Sequence, residues 1–223
     1  IGVLDLVVNF PAPIIFALIL NEIHQKLFKK TIQTISYMPY FISAVVACGL
    51  VMDFCEAGGP ISVLISNITG GESVNLINQK QNFWLIYVLQ NMWQGLGYGS
   101  IIYLSALSSV DQELYEAATV DGAGKWKQLL HVTIPGISTM IIMMLILRMG
   151  AVFSVGADKI LLLYNASNWD VSDVINTYVY RLGMQDANFG MSTAVGLFNS
   201  LIGTVLLLTS NKVLKKLSGT SMF

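Results

Sequence analysis

Five apolar stretches of membrane length constrain this chain more than any other feature. They run roughly Val3 to Leu20, Ile32 to Phe54, Asn82 to Leu107, Gly136 to Gly156 and Phe189 to Ser210. A helix needs about 20 mostly apolar residues to cross a bilayer core. Inside that core each backbone N–H and C=O must be paired within the protein, which favours helices. The expected fold is therefore all-α, a polytopic transmembrane helix bundle of about five spans forming one domain over residues 1–223. Composition agrees: 11% of residues are charged, against about 25% in soluble domains. The net charge of -1 gives no reason to expect a nucleic-acid partner. Cys48 and Cys55 lie seven residues apart. On one helix that is about 10 Å, too far for a disulfide. The chain starts at Ile1 inside an apolar run, so an upstream segment is expected, and no cleavable signal pattern precedes that run.

The links carry the topology. Pro11 and Pro13 should kink the first span. Asn21 to Thr31 is a short polar connector. Cys55 to Gln81 is a Gly/Ser/Asn-rich link containing an apolar patch, ISVLI, that suits an interfacial helix. Gly95, Gly97 and Gly99 allow close packing on the third span. Asp158 to Asn188 is a second long link. Of the Lys and Arg residues, eight fall on the side of Asn21–Thr31, Asp111–Pro135 and the tail, and three (Lys80, Lys159 and Arg181) on the other. The first side is therefore expected to be cytoplasmic, and an upstream span would bring the N-terminus back to it.

Between the third and fourth spans lies DQELYEAATVDGAGKWKQLLHVTIP, Asp111 to Pro135. Asp111 suits an N-cap, and Glu113 and Glu116 suit the positive end of a short helix. Ala117 and Ala118 make a notch where a partner surface can approach the backbone. Gly122 and Gly124 can end the helix and turn the chain. Lys125 to Leu130 can form a second short helix, and Pro135 suits the first turn of the next span. On physics alone the stretch is either a helical hairpin that binds something or a solvated loop. Gly124-Lys125 is not a phosphate loop: that pattern requires Gly at 119 and Ser or Thr at 126, where the chain has Thr119 and Trp126.

Glu116-Ala117-Ala118 followed by Gly122 and then Ile134-Pro135 resembles the EAA loop of binding-protein-dependent ABC importer permeases. YEAATVDGAGKWKQLLHVTIP resembles the carbohydrate branch, the maltose-type membrane subunits. SYMPYFISAVV and DKILLLYN are similar to its polysaccharide and oligosaccharide permeases. The resemblance covers essentially the whole chain, as the second to sixth helices of a six-helix type I core whose first helix is missing. Two departures are small: Gln112 stands where many relatives have Pro, and the loop ends Thr-Ile-Pro where Thr-Leu-Pro is common. The resemblance implies that Glu116, Ala117, Ala118, Asp121, Gly122 and Pro135 form a coupling helix seated in a groove on a cytoplasmic ATP-binding subunit. It further implies a second homologous permease, giving a heterodimer, two ATP-binding subunits and an extracellular solute-binding protein. ATP and Mg would be bound by the partner subunits, with no cofactor or catalysis in this chain. The setting would be the bacterial plasma membrane, with the EAA loop and C-terminus in the cytoplasm and an oligosaccharide as solute.

Polar residues inside spans are costly and point to function. Asn91, Gln94, Gly95 and Tyr98 share one helical face, with Trp93 on another flank. Amides bond sugar hydroxyls and rings pack on sugar faces; the same amides can instead lock helix to helix. In the maltose-type relatives the helices before and after the EAA loop line the cavity, and Asn91 and Gly95 fall at such positions. Arg148 within a span costs about 2.5–3.5 kcal/mol. Either it contacts an anionic group such as a uronic-acid carboxylate, or it pairs with a carboxylate such as Asp53 or with the partner subunit. His24 and His131 lie far apart without a ligand set, so no metal site is expected. Tyr164, Trp169, Asp170, Asp173 and Arg181 in the last link suit either binding-protein contact or a folded lid. Two other classes compete. A secondary transporter needs ion-coupling carboxylates at mid-membrane, and beyond Arg148, and Asp53 near a span end, none is expected. A scaffold needs neither the EAA hairpin nor the Asn91–Tyr98 face. An ABC permease for a solute other than a sugar also stays open.

Overall fold

The computed structural model describes residues 1–218; the last five residues of the expected cytoplasmic tail lie outside the described residues. Those described form helices and turns, with no strand. The first span is α1 (Gly2–Asn9) and α2 (Pro11–Asn21), joined at Phe10. Proline lacks an N–H and its ring crowds the preceding turn, so the kink falls just before Pro11. Next come α3 (Lys26–Tyr37), a 3₁₀ turn at Met38–Phe41 and α4 (Ala44–Cys55). Pro39 ends the first helix, and the Ser43 hydroxyl starts the second by accepting from the Val46 N–H at 3.3 Å. The ISVLI patch lies in α5 (Pro60–Thr69).

α6 (Lys80–Ser108) is the central rod, packing against α1, α2, α3, α4 and α9. At about 1.5 Å per residue it is about 43 Å long, enough to span a bilayer. Among the described residues, four other stretches are both long and apolar enough to cross a membrane: Gly2–Asn21, Ala44–Thr69, Lys125–Gly150 and Phe189–Lys216. α6 falls short on apolarity because it is clothed by its neighbours and carries buried Gln90, Gln94 and Ser100. Two of its glycines are packing contacts. A Cβ on Gly97 would run into the Ser36 carbonyl oxygen, and one on Gly99 would sit 3.2 Å from Pro13.

After α6 come α7 (Gln112–Val120) and α8 (Lys125–Gln128), then a π-helical turn at Leu129–Thr133 that runs into α9 (Ile134–Gly150). Pro135 lies in the first turn of α9, as expected. The π-helical turn before it joins α8 and α9 into one rod from Lys125. α10 (Ala157–Leu163), α11 (Trp169–Ser172) and α12 (Ile175–Tyr180) follow, and α13 (Phe189–Ser218) packs along α9. The fourth span ends at Gly150, six residues earlier than expected. α10 is carried inward because Ile160 and Leu163 are buried in a core cluster with Phe83, Tyr87 and Cys48. The two cysteines are free and buried.

Candidate functional site

The α7–α8 hairpin is built by local chemistry. The Asp111 carboxylate caps α7 by accepting from the Glu113 N–H at 3.0 Å. At the other end Ala123 N–H donates to Ala118 C=O at 2.8 Å and Gly122 N–H to Thr119 C=O at 3.0 Å. This pair of bonds is the Schellman arrangement, which needs a left-handed residue, and Gly122 has φ +75°. Tyr115 Oη donates to Thr133 Oγ1 at 3.0 Å, and Gln128 Nε2 donates to Thr119 Oγ1 at 3.0 Å. These bonds fasten α7 to the base of the α9 rod. Lys125 also pairs with Glu22 at 3.1 Å, on the surface. Glu116, Ala117 and Asp121 are exposed, Ala118 is half-buried, and Pro135 is exposed at the start of α9. Val120 and Trp126 are 87% and 77% exposed, so the hairpin presents an unpartnered apolar surface.

A cavity of about 350 Å³ lies between α1, α2, α6, the end of α9 and α10. Asn91, Gly95 and Arg148 line it. Gly95 is the one member of the glycine trio that serves the cavity, since a Cβ there would meet nothing within 4 Å. The rest of the expected face turns elsewhere. Gln94 is buried, and its amide donates to the carbonyls of Ile42 at 3.2 Å and Pro39 at 3.5 Å. It satisfies carbonyls freed where α3 gives way to α4, which is the helix-locking alternative. Tyr98 stacks on Tyr40 with ring centroids 3.8 Å apart, against the same break. With about 100° per residue, the four positions spread over about 100° of arc. The broken helix covers one edge of that arc.

Arg148 lies in the last turn of α9, not mid-helix. A cation there meets the negative end of the helix dipole, which lowers its cost. Its guanidinium forms no ion pair among the described residues, so the Asp53 pairing is not made.

The structure adds a polar chain that the residue pattern did not single out. Asp5 Oδ1 accepts from Asn9 Nδ2 at 2.8 Å and from Asn91 Nδ2 at 3.0 Å. Asn91 Oδ1 in turn accepts from Lys159 Nζ at 2.7 Å. One amide thus bridges a carboxylate on α1 and an ammonium on α10. Burial pushes the Lys159 ammonium below its ordinary pKa, with Cys48 and Asp5 pulling it back up. Asp5 corrects the expectation that Asp53 is the sole acid within the apolar segments. It stands three residues into the first apolar run, where a lone acid passes for a span end. Lys159 has no local signal, because only the packing of α10 brings it inward.

On the outer link, Arg181 clamps Asp173 with two bonds of 2.7 Å and lies over the Trp169 ring at 4.3 Å. The Arg181 hydrogen bonds hold the Asp173 carboxyl below the usual range, against the opposing pull of partial burial. Lys80 pairs with Asp170 at 2.7 Å. This link is folded onto the bundle.

The polygalacturonan/rhamnogalacturonan transport system permease protein YteP of Bacillus subtilis (strain 168) is 41% identical over 214 residues, 96% of this chain and 66% of its own length. Protein LplB of the same organism is 39% identical over 221 residues, 99% of this chain and 69% of its own. This chain therefore spans about two thirds of these relatives. A chain in the crystal structure of a bacterial alginate ABC transporter, in complex with an alginate pentasaccharide-bound periplasmic protein, superposes with TM-score 0.94 at 38% identity. That match covers 99% of this chain and 77% of the other. The family described as binding-protein-dependent transport system inner membrane component matches residues 9–218. From the kinked first span to the end of α13, the chain belongs to the family of inner membrane components of binding-protein-dependent transport systems.

Proposed function

We propose that this chain is a membrane-spanning permease subunit of an ATP-driven importer that moves an oligosaccharide delivered by an extracellular binding protein. The observation that carries the reading is the mechanical connection of the hairpin. α7 has an exposed Glu116-Ala117 surface, and its Tyr115 is hydrogen-bonded to Thr133 at the base of α9. α9 is about 26 Å long at 1.5 Å per residue, and its far end presents Arg148 to the cavity. A push on α7 from below is therefore delivered to the cavity wall by a rigid rod. The exposed Val120 and Trp126 supply apolar area for the ATP-binding subunit that delivers the push. This chain contributes no phosphate loop, so hydrolysis belongs to two partner ATP-binding subunits, which hold ATP and Mg. A second homologous permease completes the pathway. The hairpin and C-terminus face the cytoplasm.

Oligosaccharides fit the cavity because it is lined by amide, charged and small residues, Asn9, Asn91, Gly95 and Arg148 among them. Such groups bond hydroxyls. The names of relatives agree in kind, covering polygalacturonan/rhamnogalacturonan, arabinooligosaccharides and alginate. The test is uptake by cells carrying the whole transporter. Glu116→Lys is expected to abolish ATP-dependent uptake at normal membrane expression and to weaken co-purification of the ATP-binding subunit. Wild-type uptake by this variant overturns the coupling role.

One observation favours secondary transport: Asp5 is a carboxylate inside an apolar segment, as ion coupling requires. Its oxygen is occupied by two amide donors, which suits a structural anchor better than a proton carrier. Uptake that survives ATP depletion but not a protonophore would decide for the secondary transporter.

A further inference from the structure

The charges of the cavity are unevenly answered. Four side chains bring them: Asp5, Arg148, Asp158 and Lys159. The Oδ1 of Asp5 is occupied by the amide hydrogens of Asn9 and Asn91. Asp158 and Arg148 are both exposed where they line the cavity. Lys159, half-buried, donates to the neutral oxygen of Asn91, with Asp5 acting on it at longer range and no direct ion pair among the described residues. Arg148 has neither an ion pair nor a side-chain hydrogen bond among the described residues. Two cations therefore face one cavity without a direct carboxylate partner. A half-buried ammonium held by a neutral acceptor and an exposed guanidinium without an ion pair can both answer an entering carboxylate.

We propose that Lys159 and Arg148 are specificity-determining residues that select saccharide units bearing a carboxylate, and that Asn91 is the placeholder from which the substrate takes Lys159. This deepens the importer reading and rests on it. The guanidinium fork of Arg148 matches a planar carboxylate with two parallel bonds, whereas an ammonium accepts any oxygen geometry. Asn91 Oδ1 holds the Lys159 ammonium in place at 2.7 Å. An entering carboxylate replaces this neutral acceptor with a charged one and adds Coulomb attraction to a bond that is already charge-assisted on its donor side. The released Asn91 carbonyl is then free to accept from a sugar hydroxyl, while its amide hydrogens stay on Asp5. A neutral unit offers only hydroxyls, so it leaves Arg148 unpaired and gains less from displacing Asn91. Asp5 completes the device from behind: by anchoring Asn91 on α1, it fixes where the Lys159 ammonium waits. The cavity volume is near the lower end of the range of about 300–1,000 Å³ for small-molecule sites, so it reads a short piece of a chain and not the whole polymer.

The experiment compares two probes differing only in charge, an oligouronide and its methyl ester, in proteoliposomes holding the complete transporter with its ATP-binding subunits and binding protein. The readout is the ratio of acid to ester uptake, measured with the binding protein saturated by each probe. The wild type is expected to prefer the acid. Lys159→Met and Arg148→Gln should each lower the ratio about tenfold, the loss of one charge-assisted bond. Lys159→Arg should keep most of the preference. Asn91→Asp, paired with Asp5→Asn so that the two carboxylates do not meet, gives Lys159 a carboxylate and should lower the ratio as Lys159→Met does. A wild type without preference overturns the proposal, as does an unchanged ratio in Lys159→Met or Arg148→Gln, which is what a purely structural role predicts. Should Lys159→Met fail to assemble, Arg148→Gln and Asn91→Asp paired with Asp5→Asn still decide. A wild type that imports neither probe with ATP present overturns the importer reading itself. Import with an unaltered ratio in the variants overturns only the carboxylate selection.

Discussion

Replacing Gly122 by alanine isolates the strain that ends α7 from everything else the hairpin does. The residue sits at φ +75°, and a Cβ placed there meets nothing within 4 Å. No steric clash with a neighbour enters, so the effect is backbone strain alone. A non-glycine residue in the left-handed region costs about 1–2 kcal/mol. That cost falls on the two bonds of the helix end, Ala123 to Ala118 and Gly122 to Thr119. One to two kcal/mol is a factor of roughly 5–30 in a local equilibrium. Amide hydrogen exchange of the purified transporter should therefore show protection in residues 112–124 falling about 5–30-fold in Gly122→Ala. The α6 and α9 amides should be unchanged, because the hairpin lies outside the bundle. Gly122→Asn should lose less, since asparagine tolerates this region better than other residues. Gly122→Asp adds charge with little strain and so separates electrostatic loss of coupling from loosened structure. Equal protection in Gly122→Ala and wild type would refute the argument that this one torsion holds the hairpin together. Loss of protection throughout the bundle would refute its local character.

Two further outcomes follow from the same geometry. Gly97→Ala drives a methyl into the Ser36 carbonyl and should lower stability by about 1–3 kcal/mol, while Gly95→Ala, built into open space, should leave the unfolding temperature unmoved; thermal unfolding in detergent checks both. For Asp173, the folded carboxyl titrates below its unfolded value of about 3.9, so its stabilisation is present above that value and fades as pH falls through the lower folded one. Exchange protection of residues 169–181 should hold from pH 7 to pH 5 and drop in acid below about pH 4, and Asp173→Asn should remove the step. Arg181 and Thr177 bond the same carboxyl, and Arg181 keeps its charge across that window. A transition near pH 6 would contradict this origin.

How much of the site was legible depended on distance along the chain. The hairpin was readable because its determinants are local: Asp111 caps, Gly122 turns left-handed, and both act within a few residues. Asn91 and Gly95 were readable as cavity candidates from the helical face they share and from the resemblance, and Arg148 from the cost of a charge within a span. Gln94 and Tyr98 share that periodicity but meet the break after Tyr37, which no pattern within α6 announces. Asp5 and Lys159 were illegible for the same reason. They are brought to Asn91 by the packing of α1 and α10 on α6, contacts spanning 86 and 68 residues of chain. The π-helical turn was hidden behind Pro135, which reads equally well as a helix start.

That turn sets the phase of everything after it. A π-helical turn absorbs one residue more than an α-helical one, and a regular α-helix advances about 100° per residue. Were Leu129–Thr133 to anneal into plain α-helix with the hairpin held still, α9 would rotate by about that angle. Leu147 would then stand where Arg148 does, and the cavity would lose one of its two unpaired cations to an alkyl chain. The electrostatic character of the cavity is therefore set by a single surplus residue near the opposite end of the rod, about 22 Å away at 1.5 Å per residue. For this chain, annealing that turn with the sequence intact is a change of charge at a distance, whereas deleting one residue from it removes the surplus and leaves Arg148 in phase.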